Sequence, residues 1–115
     1  FFDPVSRILF PGDVCSGLVG SGVPYAFVED LEAYRPLMEG FHRRYMASNR
    51  ALRLWVEMVR ELDPQMIVPQ HGMPFRGAAI KPLLDWLEGL QCGVDLMGPV
   101  NYRPTPQRPP VRVGY

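Results

Sequence analysis

The sequence has no surplus charge of either sign. Twelve Lys and Arg balance twelve Asp and Glu, which removes any electrostatic case for nucleic acid or for an acidic membrane surface as a partner. It has no long apolar run either: nothing approaches the ~20 residues of a spanning helix. Cysteine is scarce. Cys15 and Cys92 are the only two, too few for a disulfide framework, so reduced thiols in a cytoplasmic protein are the simplest reading. Also missing are the Gly-Lys-Ser/Thr of a phosphate loop, any His-x-x-x-His or Cys-x-x-Cys pair, and any nucleophile–base arrangement. No basic n-region and no initiating Met open the chain. It starts on Phe1-Phe2, apolar residues that read as the inside of a strand, so a piece of a longer protein is expected.

What is there has the composition of one globular domain at most: 115 residues, 47% apolar and 21% charged. Phe1 to Phe10 reads as strand, turn, strand, with Asp3-Pro4-Val5-Ser6 as the turn and the two strands antiparallel. A Gly- and Ser-rich loop from Val14 to Pro24 follows. Glu29 to Met46 is predicted helical with a break near Pro36, and Leu37, Met38, Phe41 and Tyr45 form its apolar stripe. His42 borders that stripe and is expected to be a partly exposed helix histidine. Ser48 or Asn49 caps a helix that Asp63-Pro64 ends, with Leu52, Trp55, Val56, Val59 and Leu62 on one face. A strand over Met66 to Val68 and a helix over Gly77 to Leu90 complete an α/β layering. From Gly98 to Tyr115 the chain has no periodicity and carries Pro99, Pro104, Pro106, Pro109 and Pro110. Residues 1–97 are therefore assigned to the domain and 98–115 to a Pro-rich tail or linker.

Two stretches share one form. Arg7-Ile8-Leu9-Phe10 is an apolar strand closed by Pro11-Gly12, and Asp13 follows. Met66-Ile67-Val68 is an apolar strand closed by Pro69, and Gln70-His71-Gly72 follows. Pro stops a ladder, and the Gly beside each polar residue allows the backbone to come close to a site. Carboxylate oxygen and imidazole nitrogen together suit zinc, iron or manganese rather than calcium. Taken singly, an Asp after a strand is often a turn residue and a His before Gly is often structural. A site also needs three or more protein ligands per ion, and only two are offered here. Cys15 could add a soft ligand; a small buried residue is the more frequent outcome.

Together the two turns resemble a known family. Ile8-Leu9-Phe10-Pro11-Gly12-Asp13 is similar to the strand and turn carrying the metal-bridging Asp of metallo-β-lactamase-fold proteins. Met66-Ile67-Val68-Pro69-Gln70-His71-Gly72 is similar to the late strand and turn carrying their last His ligand. Asp3-Pro4-Val5-Ser6 and the stretch from Phe41 to Leu52 resemble the flavodiiron and oxygen-binding di-iron branch more than the hydrolytic branches. The resemblance covers roughly Phe1 to Leu96. It implies an αββα sandwich of which this chain is the C-terminal half. It implies two iron ions that bind or reduce dioxygen, or nitric oxide, with Asp13 bridging them and His71 on one of them. The remaining ligands would belong to a His-x-Glu-x-Asp-His motif and a further His, none of them in this sequence. This piece alone is therefore expected to be inactive; its parent would be a di-iron oxidoreductase or oxygen-binding protein. The electron donor is unspecified, a homodimer is what such relatives tend to form, and no flavin site can be argued within the chain. The alternatives are a zinc-dependent hydrolase of the same fold, a non-catalytic oxygen-sensing domain, and a metal-free α/β piece.

Overall fold

The computed structural model describes residues 1–22 and 26–102. The Pro-rich stretch beyond residue 102 and the end of the Gly-rich loop at residues 23–25 lie outside the described residues.

Strands β1 (Phe2–Asp3) and β2 (Ile8–Leu9) pair antiparallel, Phe2 opposite Leu9. The turn between them is built by Asp3, whose carboxylate accepts from the N–H groups of Val5 at 3.1 Å and Ser6 at 3.3 Å. A long connection then carries α1 (Leu31–Tyr34), α2 (Pro36–Tyr45) and α3 (Asn49–Leu62) before β3 (Met66–Ile67) returns beside β2. The pairing of β2 with β3 is parallel, Leu9 opposite Ile67. Strand β4 (Phe75–Arg76) then pairs antiparallel with β3, so the sheet order is β1-β2-β3-β4. A 3-10 turn over Gly77–Ala79 leads into α4 (Ile80–Gly89).

Local chemistry sets these boundaries. Asp30 caps α1, accepting from Glu32 N–H at 3.0 Å and Ala33 N–H at 3.3 Å. Pro36 sits at the first position of α2, where its missing N–H costs nothing and its fixed φ suits a helix. This is the expected break near Pro36. Ser48 Oγ accepts from Ala51 N–H at 3.1 Å and caps α3. Asp63, left-handed at φ 47°, ends α3 immediately before Pro64. The Asn49 amide donates to the carbonyls of Glu88 and Leu90, both at 2.8 Å, tying the start of α3 to the end of α4.

Leu9, Ile67 and Phe75 point to one face of the sheet and are buried. Their register requires this, because they are cross-strand partners and side chains alternate between faces. They join Leu52, Val56 and Val59 of α3 and Ile80, Leu83, Leu84 and Leu87 of α4 in a single core. The helical faces match the expected ones. Strand β4 was not expected: two residues after Pro74 carry too little pattern to be read as a strand. The α2 stripe also differs. Met38 and His42 are the buried residues of α2, while Leu37 and Tyr45 are exposed. The helix is rotated so that an imidazole, both of whose nitrogens find partners, faces inward in place of Tyr45. His42 is thus fully buried rather than partly exposed. The first residues of the expected linker form a 3-10 turn, Pro99–Tyr102. Among the described residues no helix is long and apolar enough to cross a membrane.

Leu87 is fully buried between α4 and the rest of the core. Leu87→Ala is expected to lower the unfolding free energy by about 2–5 kcal/mol, with the denaturant m-value unchanged. A shift of a few tenths in a urea titration would mean that the α3–α4 contact is not part of the stable core.

Candidate metal centre

The parallel register of β2 and β3 brings the two polar strand ends together. Asp13 and His71 each lie four residues beyond the registered pair Leu9 and Ile67. Pairing continues past the strands proper: Val68 N–H donates to Leu9 O at 2.8 Å, and Gln70 N–H to Gly12 O at 2.9 Å. Gly17 N–H then donates to His71 O at 3.1 Å. The two turns are therefore laced to each other through their backbones up to His71 itself. The site stands at the carboxyl ends of two parallel strands, where loops can project functional groups without disturbing the sheet.

His71 Nε2 lies 3.7 Å from Asp13 Oδ1, and the two side chains are 60% and 55% exposed. This is too long for a hydrogen bond. It is shorter than twice a metal–ligand bond of about 2.0–2.2 Å, so one ion can be reached by both atoms. The donor set, one carboxylate and one imidazole, fits a transition metal in the way the sequence suggested. Among the described residues no group of three or more His, Cys, Asp and Glu is placed to hold a metal. The pair is therefore two exposed candidate ligands, with no third among the described residues.

Cys15 and His42 are brought together for a different purpose. Cys15 is fully buried with φ at 71°, and burial pushes its thiol pKa up, so the sulfur stays protonated. That is the small buried residue, not the soft ligand. Its backbone N–H donates to His42 Nε2 at 2.9 Å. Nε2 is thus the acceptor, so the imidazole proton sits on Nδ1 and is donated to Met38 O at 2.8 Å. Burial lowers the pKa of His42 below its ordinary 6.5, and the Met38 carbonyl opposes this in part. The ring also stands edge-on to Trp86 at 5.7 Å and to Phe41 at 5.4 Å. With both nitrogens engaged, His42 has no lone pair to offer a metal.

Tyr34 does for the His71 turn what His42 does for the Asp13 turn. Its hydroxyl accepts from Met73 N–H at 2.9 Å, and its ring meets Phe75 edge-on at 6.0 Å. The phenol fills a notch between Gly17 and Gly72: a Cβ at either position would strike the Tyr34 hydroxyl well inside contact distance. Gly72 has φ at 86° and also abuts the backbone of Gly17. The close approach at Gly72 is thus to Tyr34 and to the Gly17 backbone, whereas the sequence suggested an approach to the site. Gly12, at φ 70°, has open space around it and serves the turn alone. Tyr34 carried no signal in the sequence beyond its place on a short amphipathic stretch. The two Gly residues bracketing its ring are the clue that a large side chain must fill the space between them.

The sequence profile described as ODP family beta lactamase matches residues 1–72. Among solved structures the chain is similar to one described as a peroxy diiron species of the chemotaxis sensor ODP. Identity there is 48% and the TM-score 0.76, over 83% of this chain and 39% of that one. It is likewise similar to the apo state of chemotaxis sensor ODP from T. denticola, at 49% identity and TM-score 0.75, over 83% and 39%. The chain thus spans well under half the length of these relatives. No curated protein sequence matches it.

Two outcomes follow from the packing beneath the turns. Gly72→Ala places a methyl group against Tyr34 and forces Ala to a positive φ, so it is expected to destabilise by upwards of about 1 kcal/mol in denaturant titration. An effect near zero would show that the notch can open. His42 is neutral when folded, and its folded pKa lies below the ordinary 6.5. The unfolded chain therefore binds the extra proton first. His42's contribution is complete above 6.5 and is lost as pH falls below it. The difference in urea midpoint between the wild type and His42→Gln is expected to shrink as pH is lowered from 8 to 5. A difference that stays constant would mean that His42 is not held neutral.

Proposed function

The chain belongs to the ODP family, whose profile is described as ODP family beta lactamase, and from that membership we propose that it supplies part of a di-iron centre that binds dioxygen. In this reading Asp13 bridges the ions and His71 binds one of them. Residues 1–97 form the C-terminal half of a metallo-β-lactamase-type αββα sandwich, related to the flavodiiron branch, and 98–115 form a linker. The observation that carries the reading is the convergence of Asp13 Oδ1 and His71 Nε2 to 3.7 Å at the end of a parallel strand pair. Its support is the 48–49% identity to a protein described as a di-iron chemotaxis sensor. That description favours sensing of dioxygen over turnover.

A pair of iron ions, when bound, supplies two electrons to dioxygen. The chain's own part is to present ligands. Gly12, at positive φ, turns the chain so that Asp13 leaves the sheet edge with its carboxylate in the open. A carboxylate with both oxygens free can span two cations. His71 must offer Nε2 unprotonated, and Nε2 is the nitrogen nearer Asp13. Both side chains are more than half exposed, which would leave room for ligands from the rest of the protein.

The test is metal content of the full-length protein purified with iron. Asp13→Asn and His71→Ala are each expected to lower bound iron by at least half, and to remove the optical change on exposing the reduced protein to air. Iron unchanged in both variants would remove the site assignment. Stoichiometric zinc with hydrolytic activity in the wild type would replace this reading with the hydrolase.

A further inference from the structure

Each candidate ligand is followed, two residues later, by a backbone N–H donated to an aromatic side chain. After Asp13 it is Cys15, bonded to His42 Nε2 at 2.9 Å; after His71 it is Met73, bonded to Tyr34 Oη at 2.9 Å. Both acceptors belong to one short stretch, Tyr34 closing α1 and His42 inside α2. We infer that α1 and α2 act together as a clamp that sets the separation of the two ligand turns, with Tyr34 and His42 as its positioning residues. This rests on the metal-binding role of Asp13 and His71 proposed above.

Three features make the clamp stiff. The His42 ring cannot turn freely, because Nδ1–H is committed to Met38 O at 2.8 Å and Trp86 and Phe41 flank it. The Tyr34 ring is wedged between Gly17 and Gly72 and braced on Phe75. The segment is also stitched to the loop after Asp13, where Leu18 N–H donates to Leu37 O at 2.9 Å. The ligands themselves have no such support. Among the described residues, the only side-chain partner recorded for the Asp13 carboxylate and for the His71 ring is the other member of the pair. Where an outer hydrogen bond would ordinarily orient each ligand directly, orientation here comes from the backbone beneath it. A loss of one acceptor lets that turn shift, and a metal site tolerates displacements of only about 0.5 Å.

The experiment uses the full-length protein. Tyr34→Phe keeps the ring that fills the notch and removes only the acceptor. His42→Leu removes both nitrogens, whereas His42→Gln can keep an oxygen within reach of Cys15 N–H. Metal affinity is read by competition with a chelator, site geometry by the absorption spectrum of the cobalt-substituted protein, and fold stability by thermal melting without metal. Tyr34→Phe and His42→Leu are expected to weaken metal binding roughly tenfold and to shift the cobalt spectrum. His42→Gln is expected to restore both in large part, and Tyr34→Phe to lower the metal-free melt by no more than the loss of one part-buried hydrogen bond. Wild-type affinity and spectrum in Tyr34→Phe would overturn the clamp, even if His42→Leu fails to fold. Asp13→Ala and His71→Ala run alongside. If they leave metal binding intact, the ligand assignment falls and the clamp with it; if they abolish it while Tyr34→Phe changes nothing, only the clamp falls.

Discussion

The parallel contact between β2 and β3 is the constraint on which the remainder depends. It runs further than the two-residue strands suggest. Gln65 N–H donates to Arg7 O at 2.9 Å, and the bonds from Val68, Gln70 and Gly17 extend the lacing to the far end of both turns. At its near end Arg7 pairs with Asp63 at 2.5 Å, an exposed contact worth about 1 kcal/mol at most. A slip of two residues in this register would carry Asp13 and His71 about 6–7 Å apart, beyond the reach of one ion. The burial of Leu9, Ile67 and Phe75 on one face holds the register, because a slip of one residue would turn apolar side chains out of the core. Packing of α3 and α4 on that face is thus the remote support of the Asp13–His71 pair.

The candidate site was legible where a local rule operates. Pro after an apolar run marks the strand ends at Phe10 and Val68, and the polar residue after each is visible by inspection. The caps at Ser48 and Asp63 and the inward faces of α3 and α4 were legible for the same reason: each depends on residues within a few positions of one another. His42 was not. Its burial depends on two acceptor–donor matches, one to Met38 within its own helix and one to Cys15 twenty-seven residues away. Periodicity treats a histidine beside two arginines as surface, and nothing local reveals that a distant N–H awaits it. Tyr34 was missed for a related reason, since its partner Met73 is thirty-nine residues on. The short strand β4 escaped because its stability comes from its neighbour, not from its composition.

His42 and Cys15 also show how a polar atom can be buried without a charge. A protonated imidazole in this core would lose its acceptor role toward Cys15 and face a donor with a donor. Burial and the fixed tautomer act in the same direction, both holding the ring neutral. The thiol of Cys15, raised in pKa by the same apolar surroundings, stays neutral beside it. Neither His42 nor Cys15 therefore places a formal charge beneath the Asp13 turn.

The open placement of Asp13 and His71, set against the closed notch of Gly17 and Gly72, bears on how such a protein can diverge. Replacing either rim residue costs the fold little, because neither side chain is packed. Replacing either glycine strikes Tyr34 and the turn beneath the rim. Chemistry is thus the easily exchanged part and scaffold the fixed part. A new side chain at the rim is thus absorbed by the framework, whereas one at the notch has to displace it.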